Sequence, residues 1–206
     1  MIVYPLSEDP NLPTRILNWP EDTKLKWSHR FQQEPLELEW TPLLTTVDKG
    51  GHRGDAKALK PYGFRKRPFG DIAQIWRARL LSVRALSVLR PFLKDTCEVL
   101  PLRCDCEGQD YVAINCLNRI DAFDRSRSDL DIDEQGRITW EYSYAFKEDA
   151  IGSSAIFTVP DFAGTVFCTQ AVIDAATSAG LIAFPKRPLP GQGDEPAKSR
   201  VDPYVW

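Results

Sequence analysis

The sequence predicts an α+β fold: a mainly antiparallel sheet with two packed helices, an irregular Pro-rich N-terminal lobe and an extended C-terminal tail. Three observations predict it. Apolar runs of strand length recur between residues 76 and 184, separated by turn residues. Two of those runs, Leu80-Leu81-Ser82 and Phe167-Cys168-Thr169, end in a hydroxyl residue and pass into a helical period. Prolines crowd the two ends of the chain, where they interrupt regular structure. Strands and helices segregated in this way bury their apolar sides by packing helices on an antiparallel sheet.

Three regions follow. Residues 1–70 read as an N-terminal extension packing on the main domain, residues 71–184 as the α+β domain, and residues 185–206 as a Pro-rich C-terminal tail. In the extension, Pro5, Pro10, Pro13, Pro20 and Pro35 break any long helix, and short strands fit Ile2–Tyr4 and Leu36–Trp40. Residues 48–71 carry scattered glycines and read as a loop. That loop opens a locally basic stretch, with nine Lys/Arg between Lys49 and Arg79 against Asp55 and Asp71.

The main domain begins with a strand at Trp76–Leu81. Ser82 then caps a helix to about Arg90, its hydroxyl satisfying a free N–H of the first turn, and Pro91 ends or kinks the helix. One helix running from Asp71 to Arg90 is the alternative, because Ile72, Ile75, Trp76, Leu80 and Val83 also fit a helical period. Glu98–Arg103 and Tyr111–Leu117 read as a hairpin around Cys106-Glu107-Gly108-Gln109. Strands follow at Ile138–Phe146, Ala155–Val159 and Thr165–Cys168. Thr169 caps a second helix to about Ala179, Gly180 stops it, and Leu181–Phe184 returns as a strand. The tail ends in Tyr204-Val205-Trp206, an aromatic terminus expected to dock on the body, a second copy or a partner.

Composition narrows the function classes. The 206 residues carry a formal charge of −3, a weak global pull toward nucleic acid or anionic membrane. No apolar stretch approaches the roughly 18 residues of a membrane helix. MIVYPLSEDP lacks the basic and apolar regions of a secretory signal. Five cysteines, an odd number in a chain large enough for its own core, fit a reducing cytoplasm.

The sequence offers no catalytic residue, no cofactor motif and no metal site. His29 and His52 stand in no metal-ligand pattern, and Cys104-Asp105-Cys106 has no second pair at zinc spacing. The run Asp129-Leu130-Asp131-Ile132-Asp133-Glu134 is no EF-hand, because Glu134 stands where that loop needs Gly and Trp140 where it needs Glu. Its acids are expected on the wet face of an extended segment, with Leu130 and Ile132 turned inward. Gly50-Gly51-His52-Arg53-Gly54 lacks the Lys and hydroxyl of a phosphate loop. The competing classes are a nucleic-acid-binding module on the basic loop 49–79 with Tyr62, Phe64, Phe69 and Trp76, or an unrecognised enzyme.

Four pieces between Trp76 and Phe184 carry a family likeness. They are Leu80-Leu81-Ser82-Val83-Arg84-Ala85-Leu86; Glu98-Val99-Leu100-Pro101-Leu102; Tyr111-Val112-Ala113-Ile114-Asn115-Cys116-Leu117 with Ile120-Asp121-Ala122-Phe123-Asp124 and Ser126; and Ala155-Ile156-Phe157 with Val166-Phe167-Cys168-Thr169 and Ala179-Gly180-Leu181-Ile182-Ala183-Phe184. In these the chain resembles immunity protein family eleven of the bacterial polymorphic-toxin systems. It departs from the family at Thr158, where an arginine is often seen. The resemblance implies a cytoplasmic, non-catalytic protein that binds and neutralises a cognate protein toxin, in some systems an HNH-type nuclease. It implies no nucleic-acid or membrane partner and leaves homo-oligomerisation open.

Neutralising a toxin by occupancy asks for fast association and slow release, and complementary charge supplies the first. Asp121–Asp149 holds nine acids against Arg125, Arg127, Arg137 and Lys147, a balance of −5, with Trp140, Tyr142 and Tyr144 interleaved. Acids steer and aromatics anchor. The candidate partner-binding residues are therefore Asp129, Asp131, Asp133, Glu134, Trp140 and Tyr144.

Overall fold

The computed structural model describes residues 1–9, 11–12, 14, 17–18, 31–32, 34–36, 42–46, 68–75 and 77–198. In chain order these form β1 (Val3–Pro5), β2 (Leu17–Asn18), β3 (Leu43–Thr46), β4 (Ile72–Ile75), β5 (Ala78–Ser82), α1 (Val83–Leu93), β6 (Cys97–Pro101), β7 (Arg103–Asp105), β8 (Tyr111–Cys116), β9 (Leu130–Ile132), β10 (Ile138–Glu141), α2 (Glu148–Ile151), β11 (Ile156–Phe157), β12 (Phe167–Thr169) and α3 (Gln170–Ser178). The fold is α+β with mainly antiparallel pairing, as the sequence predicts. A four-stranded sheet, β4-β5-β8-β6, lies at its centre and is antiparallel throughout. Three smaller sheets surround it: β1-β12-β11, β2-β3-β7 and the β9-β10 hairpin. In the second of these, β3 and β7 run parallel.

The strand period of two divides the central sheet into two buried faces. Ile72, Leu81, Ile114 and Cys116 lie with Ala85, Leu89 and Leu93 of α1 and with Val172, Ile173 and Ala176 of α3. On the other side Ala73, Ile75, Ala78, Leu80, Leu100, Tyr111 and Ala113 pack with Leu17, Phe31, Leu36 and Leu44 from the N-terminal region. Such burial explains why Asp71–Arg90 invites two readings. Strands covered on both faces are continuously apolar and do not alternate, so the pattern cannot separate them from a helix. The single-helix alternative is overturned: β4 and β5 pair antiparallel from Ile72 opposite Leu81 to Ile75 opposite Ala78.

The first helix starts as its sequence predicts. Ser82 Oγ accepts the Ala85 N–H at 3.0 Å and donates to Asp71 Oδ1 at 2.6 Å. Asp71 is buried, and its other oxygen accepts the Ile182 N–H at 2.8 Å. Pro91 does not end the helix, which runs on to Leu93. At α3, Thr169 occupies the N-cap position without a side-chain cap bond. Gly180, at a φ of 63°, ends that helix in a Schellman turn: Leu181 N–H reaches the Ala176 carbonyl and Gly180 N–H the Thr177 carbonyl, both at 2.9 Å. Arg84 of α1 adds bonds to the Ala179 and Gly180 carbonyls, so one helix caps the other.

Two strand readings need correction. Leu181–Phe184 forms no strand. Ala183 has a φ of 72°, which breaks the extended backbone, and the segment bonds to Asp71 and Asp9 instead of joining a ladder. Its apolar side chains are still buried, which is what the hydrophobic pattern registers. The predicted strand Ile138–Phe146 stops at Glu141. Beyond it the backbone turns to residues of the tail: Tyr144 N–H donates to the Pro190 carbonyl at 2.9 Å, and Lys198 N–H to the Tyr142 carbonyl at 2.7 Å. The predicted strand at Leu36–Trp40, His29, His52 and the terminal Tyr204 and Trp206 lie outside the described residues, apart from the buried Leu36.

Arg79, the second residue of β5, is the largest fully buried side chain among the described residues, at 2% exposure. Its Nε donates to the Leu6 carbonyl at 2.6 Å, Nη1 to the Arg77 carbonyl at 3.3 Å and Nη2 to the Gly164 carbonyl at 3.0 Å. Burial lowers its pKa to about 10, which leaves it charged at neutral pH. Arg79→Met keeps an apolar stem but abandons three carbonyls. A buried acceptor left without a donor costs about 1–3 kcal/mol, so urea unfolding should show a loss of at least about 2 kcal/mol. Ser82→Ala should cost about 1–2 kcal/mol in the same measurement, the usual range for a lost cap.

Candidate functional site

The acidic segment builds a two-stranded ribbon on a polar base. β9 and β10 pair with each other, Ile138 opposite Ile132 and Glu141 opposite Leu130, with a bulge between Ile138 and Trp140. Their connection is written in Asp133-Glu134-Gln135-Gly136. Gly136 N–H closes the turn on the Asp133 carbonyl at 2.9 Å, and the Asp133 side chain accepts the N–H groups of Gln135 and Arg137 at 3.0 and 2.8 Å. Gly136 then takes a φ of 77°, a conformation costly for a residue with a Cβ.

The base is a second aspartate turn. Asp124 Oδ1 accepts from Ser126 Oγ at 2.6 Å, and Oδ2 from Arg127 Nε at 2.6 Å. Arg127 also donates to the Phe146 carbonyl at 2.8 Å. Ser128 Oγ donates to the Asp124 carbonyl and accepts the Ala145 N–H, while Ser143 Oγ accepts the Asp129 N–H at 3.0 Å. Both ends of the ribbon are thereby tied to one frame. Below it, Phe123, Phe146, Phe157, Phe162 and Phe167 form an aromatic cluster in mostly edge-to-face contacts, joined by Val3 of β1 and Leu189 of the tail.

The six candidate residues take different places in this frame. Asp129, Asp131 and Asp133 are half-buried and Glu134 is exposed at the turn. Asp131 accepts the Tyr142 hydroxyl at 2.8 Å, and Asp133 is paired with Arg137 at 2.7 Å. Trp140 is half-buried on β10, and the Lys198 ammonium lies 5.4 Å from its ring centre. Tyr144 belongs to the aromatic cluster, with its ring centre 6.2 Å from Phe123 and 5.6 Å from Phe162, and burial raises its hydroxyl pKa. The expectation for Leu130 and Ile132 is half met. Leu130 packs on the aromatic cluster, but Ile132 is 50% exposed, because it sits near the ribbon tip beyond the core.

Charge is arranged more narrowly than the composition suggests. Asp124 pairs with Arg127, Asp133 with Arg137 and Asp121 with Lys147. Arg125 pairs with Asp161 outside the segment, and Glu148 with the N-terminal ammonium. All four bases of the segment are thus committed to named acids. Sequence reasoning missed the structural use of Asp124, Arg127, Ser128 and Ser143. The signals were present as Asp-x-Ser and Asp-x-x-Gly turn patterns.

Among the described residues, no cluster of three or more His, Cys, Asp or Glu can hold a metal ion, and no helix is long and apolar enough to cross a membrane. Cys104 is half-buried beside buried Cys106, whose thiol bond lowers the Cys104 pKa to about 7. Of the basic stretch Lys49–Arg79, only residues 68–75 and 77–79 are described. Within it Arg79 is buried and holds carbonyls, so it offers no charge to a nucleic acid.

Residues 96–185 match the model of the immunity protein family Imm11. The Imm11 match spans β6 to α3 and contains the whole acidic ribbon. It covers less than half of the chain and starts after the Leu80–Leu86 piece of the resemblance. No curated protein matches the chain. The match suggests an immunity function.

The Ser126 hydroxyl, with Arg127, lowers the Asp124 pKa to about 2. A depressed carboxylate contributes above its unfolded pKa of about 3.9 and loses that contribution as pH falls through the folded value. Carboxyl NMR should therefore show Asp124 titrating near pH 2, and Ser126→Ala should move the midpoint upward.

Proposed function

We propose that this chain is an immunity protein that neutralises a cognate toxin by occupancy, and that the β9–β10 ribbon is its toxin-binding element. The immunity reading rests on the Imm11 match over residues 96–185. The choice of surface rests on the ribbon. It pairs with no other strand among the described residues, and its tip presents the exposed Ile132 and Glu134, with the half-buried Asp129, Asp131 and Asp133 spaced along it. An apolar contact ringed by charge is a common interface composition, with the charge steering encounter and the apolar group slowing release. A basic toxin surface, such as the active site of a nuclease, is the complement. The frame beneath the ribbon holds the carboxylates in place before binding, which reduces the ordering cost of association.

The test is surface binding kinetics with the purified cognate toxin, alongside survival of cells expressing it. Asp129, Asp131 and Asp133 changed to Asn, with Glu134→Gln, remove charge while Asn retains the turn-forming amide oxygen. The association rate should fall about tenfold or more at low salt and change little at high salt, where screening already removes steering. Trp140→Ala should raise the dissociation rate about 30-fold, the equivalent of about 2 kcal/mol. Tyr144→Ala should instead lower stability, because its ring is part of the aromatic cluster. An unchanged low-salt association rate and full protection in the fourfold variant would place the interface elsewhere.

A further inference from the structure

The register of the central sheet sets Cys97 of β6 directly opposite Cys116 of β8. Leu117 N–H donates to the Thr96 carbonyl at 2.9 Å, one residue outside the pair. That bond makes Cys97–Cys116 a non-hydrogen-bonded antiparallel pair, in which the Cα atoms lie about 4.5 Å apart and side chains come closest. A disulfide needs a Cα separation of about 4.4–6.8 Å. A pair of this class meets that requirement. The two thiols are coupled: their side-chain interaction lowers the pKa of Cys97 and raises that of Cys116. Cys97 is partly exposed and Cys116 is buried.

We propose that Cys97 and Cys116 form an oxidisable dithiol, which a peroxide converts into a cross-strand disulfide clamping edge strand β6 to β8. The Cys97 thiolate attacks one peroxide oxygen, the O–O bond breaks and hydroxide leaves, giving a sulfenic acid at Cys97. Cys116 sulfur then attacks the Cys97 sulfur, the S–O bond breaks, and the hydroxyl leaves with the Cys116 proton as water. Two thiols lose two electrons and one peroxide becomes two waters. The clamp has a structural consequence. β6 carries Glu98, whose Oε2 accepts the Leu36 N–H at 2.8 Å and the Asn115 amide at 3.1 Å. The disulfide would therefore fix the strand that holds residues 34–36 on the sheet. Cys104 and Cys106 are the rival pair. Two residues along an extended chain place their Cα atoms about 6.6 Å apart, at the edge of the permitted range.

The experiment treats the reduced full-length chain with hydrogen peroxide, alkylates the remaining thiols and maps the peptides by mass spectrometry without reduction. The expected product has lost two hydrogen atoms, carries a Cys97–Cys116 linked peptide and reverts with dithiothreitol. Its thermal midpoint should rise by several degrees. Cys116→Ser should stop at a Cys97 sulfenic acid, trapped by a cyclic diketone. The double variant Cys104→Ser, Cys106→Ser should still form the link. Linkage confined to Cys104–Cys106, or Cys97 and Cys116 both still alkylated in the treated wild type, would overturn the proposal; neither readout depends on a variant folding.

Discussion

The Arg79 guanidinium is the interaction on which most of the tertiary arrangement depends. A charged group at the centre of a sheet is expensive to desolvate, and it persists only if its donors are satisfied. Here the acceptors are carbonyls of Leu6, Arg77 and Gly164. Leu6 and Gly164 lie far apart in the chain, and one leads away from β1 while the other leads into β12. Leu6 N–H in turn donates to the Val166 carbonyl at 2.8 Å, so Arg79 helps to register the β1-β12-β11 sheet against the central sheet. An apolar residue could fill the same volume but would leave those carbonyls without donors.

Two further buried polar groups repeat the device at other seams. Asp71 joins the Ser82 cap to the Ile182 backbone, so the start of α1 and the exit from α3 meet on one carboxylate. Asn115, fully buried in β8, accepts the Gln32 N–H at 2.6 Å and donates to the Glu34 carbonyl and to Glu98. It holds the N-terminal region against the second face of the sheet. Hydrophobic burial supplies the bulk of the stabilisation but is non-directional. These polar contacts select which segments pack where, because a mispaired arrangement would bury them unsatisfied.

The ribbon depends on the same construction at one remove. Its base rests on the aromatic cluster that includes Val3 of β1 and Phe167 of β12, the sheet Arg79 helps to register. The tail adds Leu189 to that cluster and lays Lys198 over Trp140. The ribbon tip extends past this support, which is why Ile132 is exposed while Leu130 packs inward. A rigid base and a solvent-facing tip suit a binding element.

Local signals in the sequence determined the Ser82 cap, the Gly180 stop, the β6–β8 pairing and the acidic, aromatic character of residues 121–149. Each is a contact within a few residues or a repeated pattern, so composition and spacing carry it. Only the tertiary structure decided whether residues 72–82 are strand or helix, since burial on both sides erases the period that separates the two. It also decided that Leu181–Phe184 is not a strand, because its backbone groups pair with Asp71 and Asp9, residues more than a hundred positions away. Among the candidate site residues, the sequence determined their charge and aromaticity. Tertiary packing divided them, sending Tyr144 into the core and leaving Glu134 in solvent, because support from Phe123 and Phe162 reaches one end of the ribbon and not the other.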